Sequence, residues 1–580
     1  MSITMKQRKS LAILLIVAML VTMFSPGIMG PVKVSAAEEV IEIRTMVDLY
    51  NVRNNPSGHY VLMNDIDLGG YNWTPISNFT GIFDGNGYTI RNLVINNTSV
   101  NNVGLFGTVA GLGEVKNLIL ENVQVSSNKD YVGVLAGTSS GTITNVGVEG
   151  GEVSGPRYVG GLVGSNSGTI QKSYAMVDVT GQSYTVGGLV GLNNSSGTIR
   201  ESYATGDVRG NNEVGGLVGR NNGTIQQAYA TGDVTGQTNQ IGGLVGYHSS
   251  GTIRESYATG DVRGNNNVGG LVGYHGGGTL TNAFALNGEV TGASNAGKTI
   301  GSKHSSATVN GIYAPSHARD QAKYVTHLVT EEEVFMQSTY ENAGFDFTNV
   351  WEMDAQAGLP VLKFHPEPVT KVPTFTDKPY LKIENGTLYN IIYTAQDLSG
   401  VRKLTDAAYQ LANDIDLGEI DHWTPISNFT GIFDGNGYTI RNLVINNTSV
   451  NNVGLFGTVA GLGEVKNLIL ENVQVSSNKD YVGVLAGTSS GTITNVGVEG
   501  GEVSGPRYVG GLVGSNSGTI QKSYAMVDVT GQSYTVGGLV GLNNSSGTIR
   551  ESYATGDVRG NNEVGGLVGR NNGTIQQAYA

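Results

Sequence analysis

The sequence predicts an all-β protein, a right-handed parallel β-helix with coils of about 27 residues, built as two tandem modules with short helical caps. Three observations lead to this prediction. A hexapeptide of the type Val-Gly-Gly-Leu-Val-Gly recurs at steps of 27 to 29 residues from Val103 to Val268. Each unit holds about three short β-rich runs separated by Gly, Asn and Ser, without helical periodicity. Such a unit cannot bury its own apolar face, whereas stacked units can pair equivalent strands.

Comparison of the units with one another predicts which side chains face the interior. Ser173-Tyr174-Ala175 aligns with Leu118-Ile119-Leu120, and in every unit the outer two positions are small or aliphatic while the middle one varies. Because side chains alternate along a strand, the middle position is predicted to point outward. By the same argument Thr198 points outward and Ile199 inward. The outward aromatic column comprises Tyr174, Tyr203, Tyr229, Tyr257 and Phe284, and it is repeated as Tyr524, Tyr553 and Tyr579.

A much larger repeat lies over the small one. Residues 73–230 are identical to residues 423–580 at an offset of 350, although the segments that precede the two blocks are only related. A recent duplication, gene conversion or misassembly across a repeat would each produce this identity. The second block stops in mid-unit at Ala580, so we expect the sequence to be a fragment.

The first residues have the pattern of a secretory signal. Lys6, Arg8 and Lys9 precede an apolar run from Leu11 to Phe24, and small residues follow at 34–36. An apolar run of 14 residues is shorter than the roughly 20 that a membrane span needs. We therefore expect an exported chain whose mature form has no transmembrane segment.

The segments outside the repeats are predicted to cap or connect the modules. Thr330-Glu-Glu-Glu333 has the pattern of a helix-capping box, and residues 45–54 and 394–405 could each form a turn or two of helix. Exposed strand edges at the ends of a β-helix need such covers. The predicted division is 1–36 signal peptide, 37–102 cap and opening coils, 103–295 repeat coils, 296–365 irregular C-terminal cap, 366–380 Pro-rich linker, 381–452 second cap and opening coils, and 453–580 second, truncated set of repeat coils.

Composition excludes several classes of function. The 580 residues include 87 glycines and no cysteine, so disulfides, thiolate metal sites and a cysteine nucleophile are all excluded. The net charge of −13 argues against nucleic acid as a partner, because phosphate binding needs a basic face.

The repeat units resemble the GLUG motif of bacterial extracellular proteins. The resemblance is carried by the VGGLVG, GTI and SYATGDV segments, and by the opening series from Asp65 to Gly87. It implies a β-helical protein on the surface of a Gram-positive bacterium. The resemblance extends to IgA1-specific metallopeptidases, in which the motif lies outside the zinc domain. The chain contains no His-Glu-x-x-His sequence, so the protease activity is not carried over.

Three columns of side chains are candidate sites. The aromatic column is a candidate platform for an extended glycan or a partner surface, although stacking alone would also explain it. Asp178, Asp207, Asp233 and Asp261 form a carboxylate column that could bind calcium weakly, although plain surface solvation is preferred.

The third column is polar and occupies a turn. Its members are Asn166, Asn193, Asn221, His248 and His275. A hydrogen-bonded ladder is the preferred interpretation, and a metal held by the two histidines is the alternative.

Together these features favour a non-enzymatic, secreted or cell-surface rod that acts as an adhesin or spacer, and the resemblance implies a bacterial source. No catalytic residue and no cofactor are predicted, apart from the weak calcium alternative. The expected partner is an extracellular glycan or protein surface, and the rod is expected to be monomeric. The alternative functions are a polysaccharide lyase or hydrolase on the same scaffold, or the non-catalytic repeat region of a larger surface metallopeptidase.

Overall fold

The computed structural model describes residues 39–97, 99–317, 322–364, 369, 372, 379–447 and 449–580. The chain divides after Val40, and Ile41–Ala580 forms one compact unit. The predicted signal peptide and most of the predicted linker lie outside the described residues. The fold is a parallel β-solenoid of about 18 turns with coils of about 28 residues, and only 5% of it is helical. The prediction of a parallel β-helix is therefore confirmed.

Each coil contributes strands to a long sheet and to two shorter ones, and equivalent residues pair in register from coil to coil. Thr224–Ala230 pairs with Thr252–Ala258 so that Tyr229 lies beside Tyr257. Val218 likewise pairs with Val245 in the second sheet, and Val214 with Ile241 in the third. The repeat spacing read from the sequence is thus the spacing that brings identical strand positions together.

The first stack contains three sheets. In its described residues the long sheet comprises Val40–Ile43, His59–Leu62, Ile66–Asp67, Ile82–Asp84, Thr89–Arg91, Val94–Asn97, Glu114–Ser127, Thr142–Gly155, Thr169–Gln171, Tyr174–Gly181, Thr198–Ala204, Val208–Gly210, Thr224–Ala230, Val234–Gly236, Thr252–Ala258, Val262–Arg263, Thr279–Ala285, Val290–Thr291, Thr308–Pro315 and His327–Val329. The second sheet comprises Phe106–Val109, Ala136–Ser139, Val163–Asn166, Val190–Asn193, Val218–Asn221, Val245–His248, Val272–His275 and Ile300–Lys303. The third comprises Val159–Gly160, Tyr184–Gly187, Asn212–Gly215, Asn239–Gly242, Asn266–Gly269 and Ser294–Gly297.

The second stack repeats this arrangement. Over its described part the long sheet comprises Leu381–Glu384, Thr387–Ile392, Ala408–Leu411, Ile415–Asp416, Ile432–Asp434, Thr439–Arg441, Val444–Asn447, Glu464–Ser477, Thr492–Gly505, Thr519–Gln521, Tyr524–Gly531, Thr548–Arg550, Tyr553–Ala554, Val558–Arg559 and Thr574–Gln576. The second sheet comprises Phe456–Val459, Ala486–Ser489, Val513–Asn516, Val540–Asn543 and Val568–Asn571. The third comprises Val482–Gly483, Val509–Gly510, Val536–Gly537 and Val564–Gly565.

The interior of each stack is a continuous apolar core. Ile170, Ile199 and Ile225 are fully buried in successive coils, as the comparison of units predicted, while Thr198 lies half-buried on the outer side. Glycine is required where coils approach most closely. A side chain at Gly188 would overlap the carbonyl oxygen of Gly216 in the next coil, which explains the paired glycines of the repeated hexapeptide.

Short capped helices lie near the start of both stacks, at the predicted positions. The helix Met46–Asn51 continues as the 3-10 turn Val52–Asn54, and Ala395–Gly400 continues as Val401–Lys403. Each has a reciprocal capping box, in which a threonine and the aspartate three residues later bond each other's backbone N–H groups. The buried leucine of each helix packs onto the first coils.

The region after residue 295 differs from the predicted irregular cap. Ser294–Gly297, Ile300–Lys303 and Thr308–Pro315 pair in register with the preceding coil, so the regular solenoid continues to Pro315. The predicted capping box at Thr330 opens the helix Glu331–Val334, and a second helix follows at Gln337–Asn342. The strands Trp351–Met353 and Pro360–Leu362 then pair antiparallel. Residues 330–364 are called the cover segment below.

Candidate functional site

The predicted aromatic column exists and lies outside the coil core. The rings of Tyr174 and Tyr203 stack with centroids 5.2 Å apart, those of Tyr203 and Tyr229 at 4.8 Å, and those of Tyr229 and Tyr257 at 5.0 Å. In-register pairing of the strands that carry them produces this spacing. These rings belong to a cluster separate from the interior of the solenoid, which confirms that they point outward from the coils.

The prediction that this column is exposed is wrong. The exposed fractions are 3% for Tyr174, 0% for Tyr203, 1% for Tyr229, 0% for Tyr257 and 0% for Phe284. The cover segment packs across the column and forms a second apolar core with it. An outward position on the solenoid is therefore an interior position of the whole protein, and these five side chains do not form a surface platform.

Rings of the cover segment contact the column at an angle. Trp351 lies 6.2 Å from both Tyr229 and Tyr257, with interplanar angles of 44° and 46°. Phe364 lies 6.2 Å from Tyr203 at 45°. The hydroxyl of Tyr257 donates a hydrogen bond of 2.5 Å to the carbonyl oxygen of Pro360, and burial raises the pKa of that phenol. The contact therefore combines aromatic packing with a backbone anchor.

The local sequence explains how the cover segment holds its shape. The carboxylate of Asp354 accepts hydrogen bonds from the backbone N–H groups of Gln356 and Ala357 and thereby forms the turn between the two antiparallel strands. Three backbone N–H bonds, the third from Val369, lower the pKa of Asp354 against the opposing effect of burial. The aromatic content of residues 345–364 was the sequence signal that could have revealed this second core.

In the part of the second stack that the structure describes, the equivalent column has no such cover. The rings of Tyr524 and Tyr553 stack at 5.2 Å, and those of Tyr553 and Tyr579 at 5.1 Å. Tyr524 and Tyr553 are half-buried and Tyr579 is 63% exposed. Throughout the described part of the second stack, no segment packs over these rings as the cover segment packs over the first column.

Ring orientation limits what either column can bind. The interplanar angles in the second column are 7° and 3°, so each ring turns a face toward its neighbour and an edge outward. The hydroxyl of Tyr524 donates to Glu499 at 2.6 Å, as that of Tyr174 does to Glu149. Burial and then this contact raise the pKa of Tyr524. The column presents ring edges and hydroxyl groups, whereas a sugar stacks on ring faces.

The aspartate column has a structural role in the strand turns. One carboxylate oxygen of Asp178 accepts from the backbone N–H of Asp207 at 2.9 Å, and the pattern continues through Asp233, Asp261 and Glu289. Each aspartate therefore bonds the next coil.

Arginines supply the neutralising charge at alternate coils. Arg209 pairs with Asp207, and Arg263 bridges Asp261 and Glu289 at 2.9 and 2.8 Å. Among the described residues no three His, Asp or Glu side chains converge as metal ligands. Plain surface solvation stays the prediction for this column, with weak calcium binding as the alternative.

The polar turn column is a buried ladder, as preferred from the sequence. Asn166 Nδ2 donates to Asn193 Oδ1 at 2.9 Å, and Asn193 Nδ2 donates to Asn221 Oδ1 at 2.8 Å. Asn221 Nδ2 then lies 3.1 Å from His248 Nδ1. A neutral His248 that accepts here can donate from Nε2 to the carbonyl oxygen of Thr279, 3.4 Å away.

Two histidines continue this ladder as stacked rings. His248 and His275 are both fully buried and their centroids lie 4.9 Å apart. Burial, reinforced by the neighbouring His275, lowers the pKa of His248 to about 3, and burial also lowers the pKa of His275. Both rings are therefore neutral at physiological pH.

The coil geometry and its repeated sequence agree with a known motif. The family model described as the GLUG motif matches residues 182–209, 210–235, 237–263 and 532–559. This chain carries GLUG motifs. The resemblance proposed from the VGGLVG and SYATGDV segments is thereby confirmed.

Relatives share only parts of their length with this chain. Halomucin of Haloquadratum walsbyi is 36% identical over 131 residues, which are 20% of this chain and 1% of that protein. A candidate Gly-rich membrane protein of Evansella cellulosilytica is 40% identical over 121 residues, 18% of this chain and 14% of that protein. The chain thus spans a small fraction of the curated relatives it matches, and neither of these two is named as an enzyme.

Some solved structures are similar to this chain, with low TM-scores. A crystal structure of a candidate immunoglobulin A1 protease from Bacteroides ovatus has a TM-score of 0.33 and 17% identity, and the match covers 56% of this chain and 92% of that one. Within the described residues of this chain, no helix is long and apolar enough to cross a membrane.

Proposed function

We propose that this chain is a non-catalytic, rod-like spacer in a secreted or cell-surface protein. The observation that carries the proposal is the in-register stacking of equivalent strands through coil after coil. Such stacking makes each coil depend only on its neighbours, so the structure can lengthen by adding repeats without changing its cross-section.

The polar columns of the solenoid support the same function. Carboxylates in the aspartate column accept backbone N–H groups, and asparagines in the polar ladder bond one another. These side chains are already engaged in holding one coil to the next. A rod whose polar columns serve its own stacking is suited to mechanical extension rather than to turnover.

The surface location is supported by the relatives. Halomucin and the candidate Gly-rich membrane protein each share a similar stretch with this chain, and their names place them among mucin-like and membrane proteins. The sequence adds the predicted secretory signal at residues 1–36. We therefore expect export.

Shape and location test the proposal directly. About 18 coils at a rise of about 4.8 Å each would extend roughly 85 Å, so small-angle X-ray scattering of the full chain should show a rod with at least that maximum dimension. Antibody labelling of intact source cells should detect the chain at the surface. A compact globule in solution, or labelling only after lysis, would contradict the proposal.

A parallel assay tests the enzymatic alternative. The full chain is incubated with a panel of polysaccharides, and reducing ends and unsaturated uronate products are measured. We expect no release above the heat-denatured control. Turnover of any polysaccharide would replace the spacer function by a lyase or hydrolase.

A further inference from the structure

The short helices near the start of the two stacks correspond closely but differ at one surface position. Both have the same capping box, which Thr45 opens in the first stack and Thr394 in the second. Counted from these threonines, Tyr50 corresponds to Ser399, so the first helix carries a phenol ring where the second carries a small hydroxyl side chain. The difference lies in the segments that precede the two identical blocks, which begin at residues 73 and 423.

In the first stack the Tyr50 ring packs against a tryptophan and an arginine. Its centroid lies 6.2 Å from that of Trp73 at an interplanar angle of 84°, which is an edge-to-face contact. The guanidinium carbon of Arg53 lies 3.7 Å from the centroid of the Tyr50 ring. Arg53 also donates hydrogen bonds to the carbonyl oxygens of Tyr50, at 2.7 Å, and Thr74, at 3.1 Å. Edge-to-face packing and a cation–π contact therefore hold one aromatic ring in this place.

The second stack keeps the arginine and the tryptophan but has no tyrosine beside them. The guanidinium carbon of Arg402 lies 4.3 Å from the centroid of the Trp423 ring. Arg402 donates to the carbonyl oxygens of Ser399, at 3.0 Å, and Thr424, at 3.1 Å, which are the same two backbone anchors as in the first stack. A cavity of about 270 Å³ lies here, lined by Ser399, Arg402, Ile420, His422, Trp423 and Thr424.

We propose that this cavity is a binding site for a phenol-type aromatic ring, which takes the place that Tyr50 fills in the first stack. Such a ligand site goes beyond the spacer function and does not depend on it. The positive charge of Arg402 favours an aromatic ring over an aliphatic group, because a cation is attracted to the face of an electron-rich ring. His422 and Thr424 are exposed residues of the cavity lining and offer polar atoms to a ring hydroxyl group.

Fluorine NMR of the tryptophans tests the site. The sequence contains 3 tryptophans, so the full chain labelled with ring-fluorinated tryptophan gives separate resonances for Trp73, Trp351 and Trp423. The probe is p-cresol, the side-chain analogue of tyrosine. We expect a saturable shift of the Trp423 resonance with a Kd on the order of millimolar, as a ligand of so few atoms allows, and no saturable shift of the other two. Methylcyclohexanol, the saturated analogue, should bind at least about threefold more weakly, because it has no cation–π contact.

Two reciprocal variants provide matched controls. Ser399→Tyr places in the second stack the ring that the first stack already holds, so the p-cresol shift of Trp423 should be lost. Tyr50→Ser opens the corresponding place in the first stack, so the Trp73 resonance should gain a saturable p-cresol shift of its own. Because Tyr50 is 41% exposed and Ser399 is half-buried, both variants should keep the circular dichroism spectrum of the parent.

A second probe, N-acetyltyrosinamide, distinguishes the two sources of a phenol ring. Tighter binding than that of p-cresol would assign the ring to a tyrosine of a polypeptide, and weaker binding would assign it to a free phenol. Three outcomes would overturn the proposal: no saturable shift of the Trp423 resonance, a shift that survives Ser399→Tyr, or methylcyclohexanol binding as tight as that of p-cresol. The rod dimension measured by scattering is independent of all three, so it tests the spacer function separately.

Discussion

The buried histidine pair should make the first stack sensitive to acid. His248 and His275 are neutral in the folded chain, and burial holds the pKa of His248 at about 3 against an ordinary value of 6.5. The unfolded chain therefore binds more protons between these two values. Stability is fully present above about pH 6.5 and is lost as the pH falls toward 3.

The size of the effect follows from the pKa of His248. Between pH 7 and pH 4.5, protonation of this residue in the unfolded chain should lower the free energy of unfolding by about 2 to 3 kcal/mol, because one pKa unit corresponds to about 1.4 kcal/mol. The lowered pKa of His275 acts in the same direction, and the positive charge of Lys303 contributes to that lowering. Aspartates with lowered pKa values, such as Asp65, also destabilise the fold in acid, so a variant must isolate the histidines.

The double variant His248→Asn, His275→Asn provides this comparison. Asn221 occupies the same turn position one coil earlier, so asparagine can continue the amide ladder. Urea unfolding of parent and variant is measured at pH 7 and pH 4.5. Over this interval we expect the free energy of unfolding to fall in both proteins, and to fall by at least about 2 kcal/mol less in the variant than in the parent. Equal losses in the two proteins would refute the assignment of neutral, buried histidines.

Four further predictions concern the cover segment, the contacts between coils and the aspartate column. Trp351→Ala should destabilise the packing of the cover segment by about 3 to 5 kcal/mol and speed its cleavage in limited proteolysis. A variant as resistant to protease as the parent would contradict the burial of the aromatic column by this segment. Gly188→Ala should destabilise the chain by more than about 2 kcal/mol, because the methyl group meets the Gly216 carbonyl; an unchanged Tm would show that the coils can move apart. Asp233→Ala should cost about 1 kcal/mol through the lost backbone acceptor, whereas Asp233→Asn should cost less. Millimolar calcium should leave the Tm of the parent unchanged, and a rise would instead establish the cation site.

Comparison of repeat units predicted much of the fold because each coil samples the same environment. Ser202 and Ala204 are small because they face the interior, and Tyr203 between them varies in other units because it points away. This argument needs only the alternation of side chains along a strand. The same argument cannot predict which segment packs on the outer surface of the coils, because that segment lies outside the repeat units.

The duplicated block separates what the sequence determined from what the tertiary structure decided. The repeated sequence by itself determined the coil, its register and the outward direction of Tyr203 and Tyr553, since these depend on contacts between adjacent coils. Tertiary structure decided that Tyr203 is buried and Tyr553 is half-buried, although 158 identical residues surround each of them in sequence. The physical reason is that burial on the outer face depends on a segment more than 100 residues away, which packs against one column and not the other.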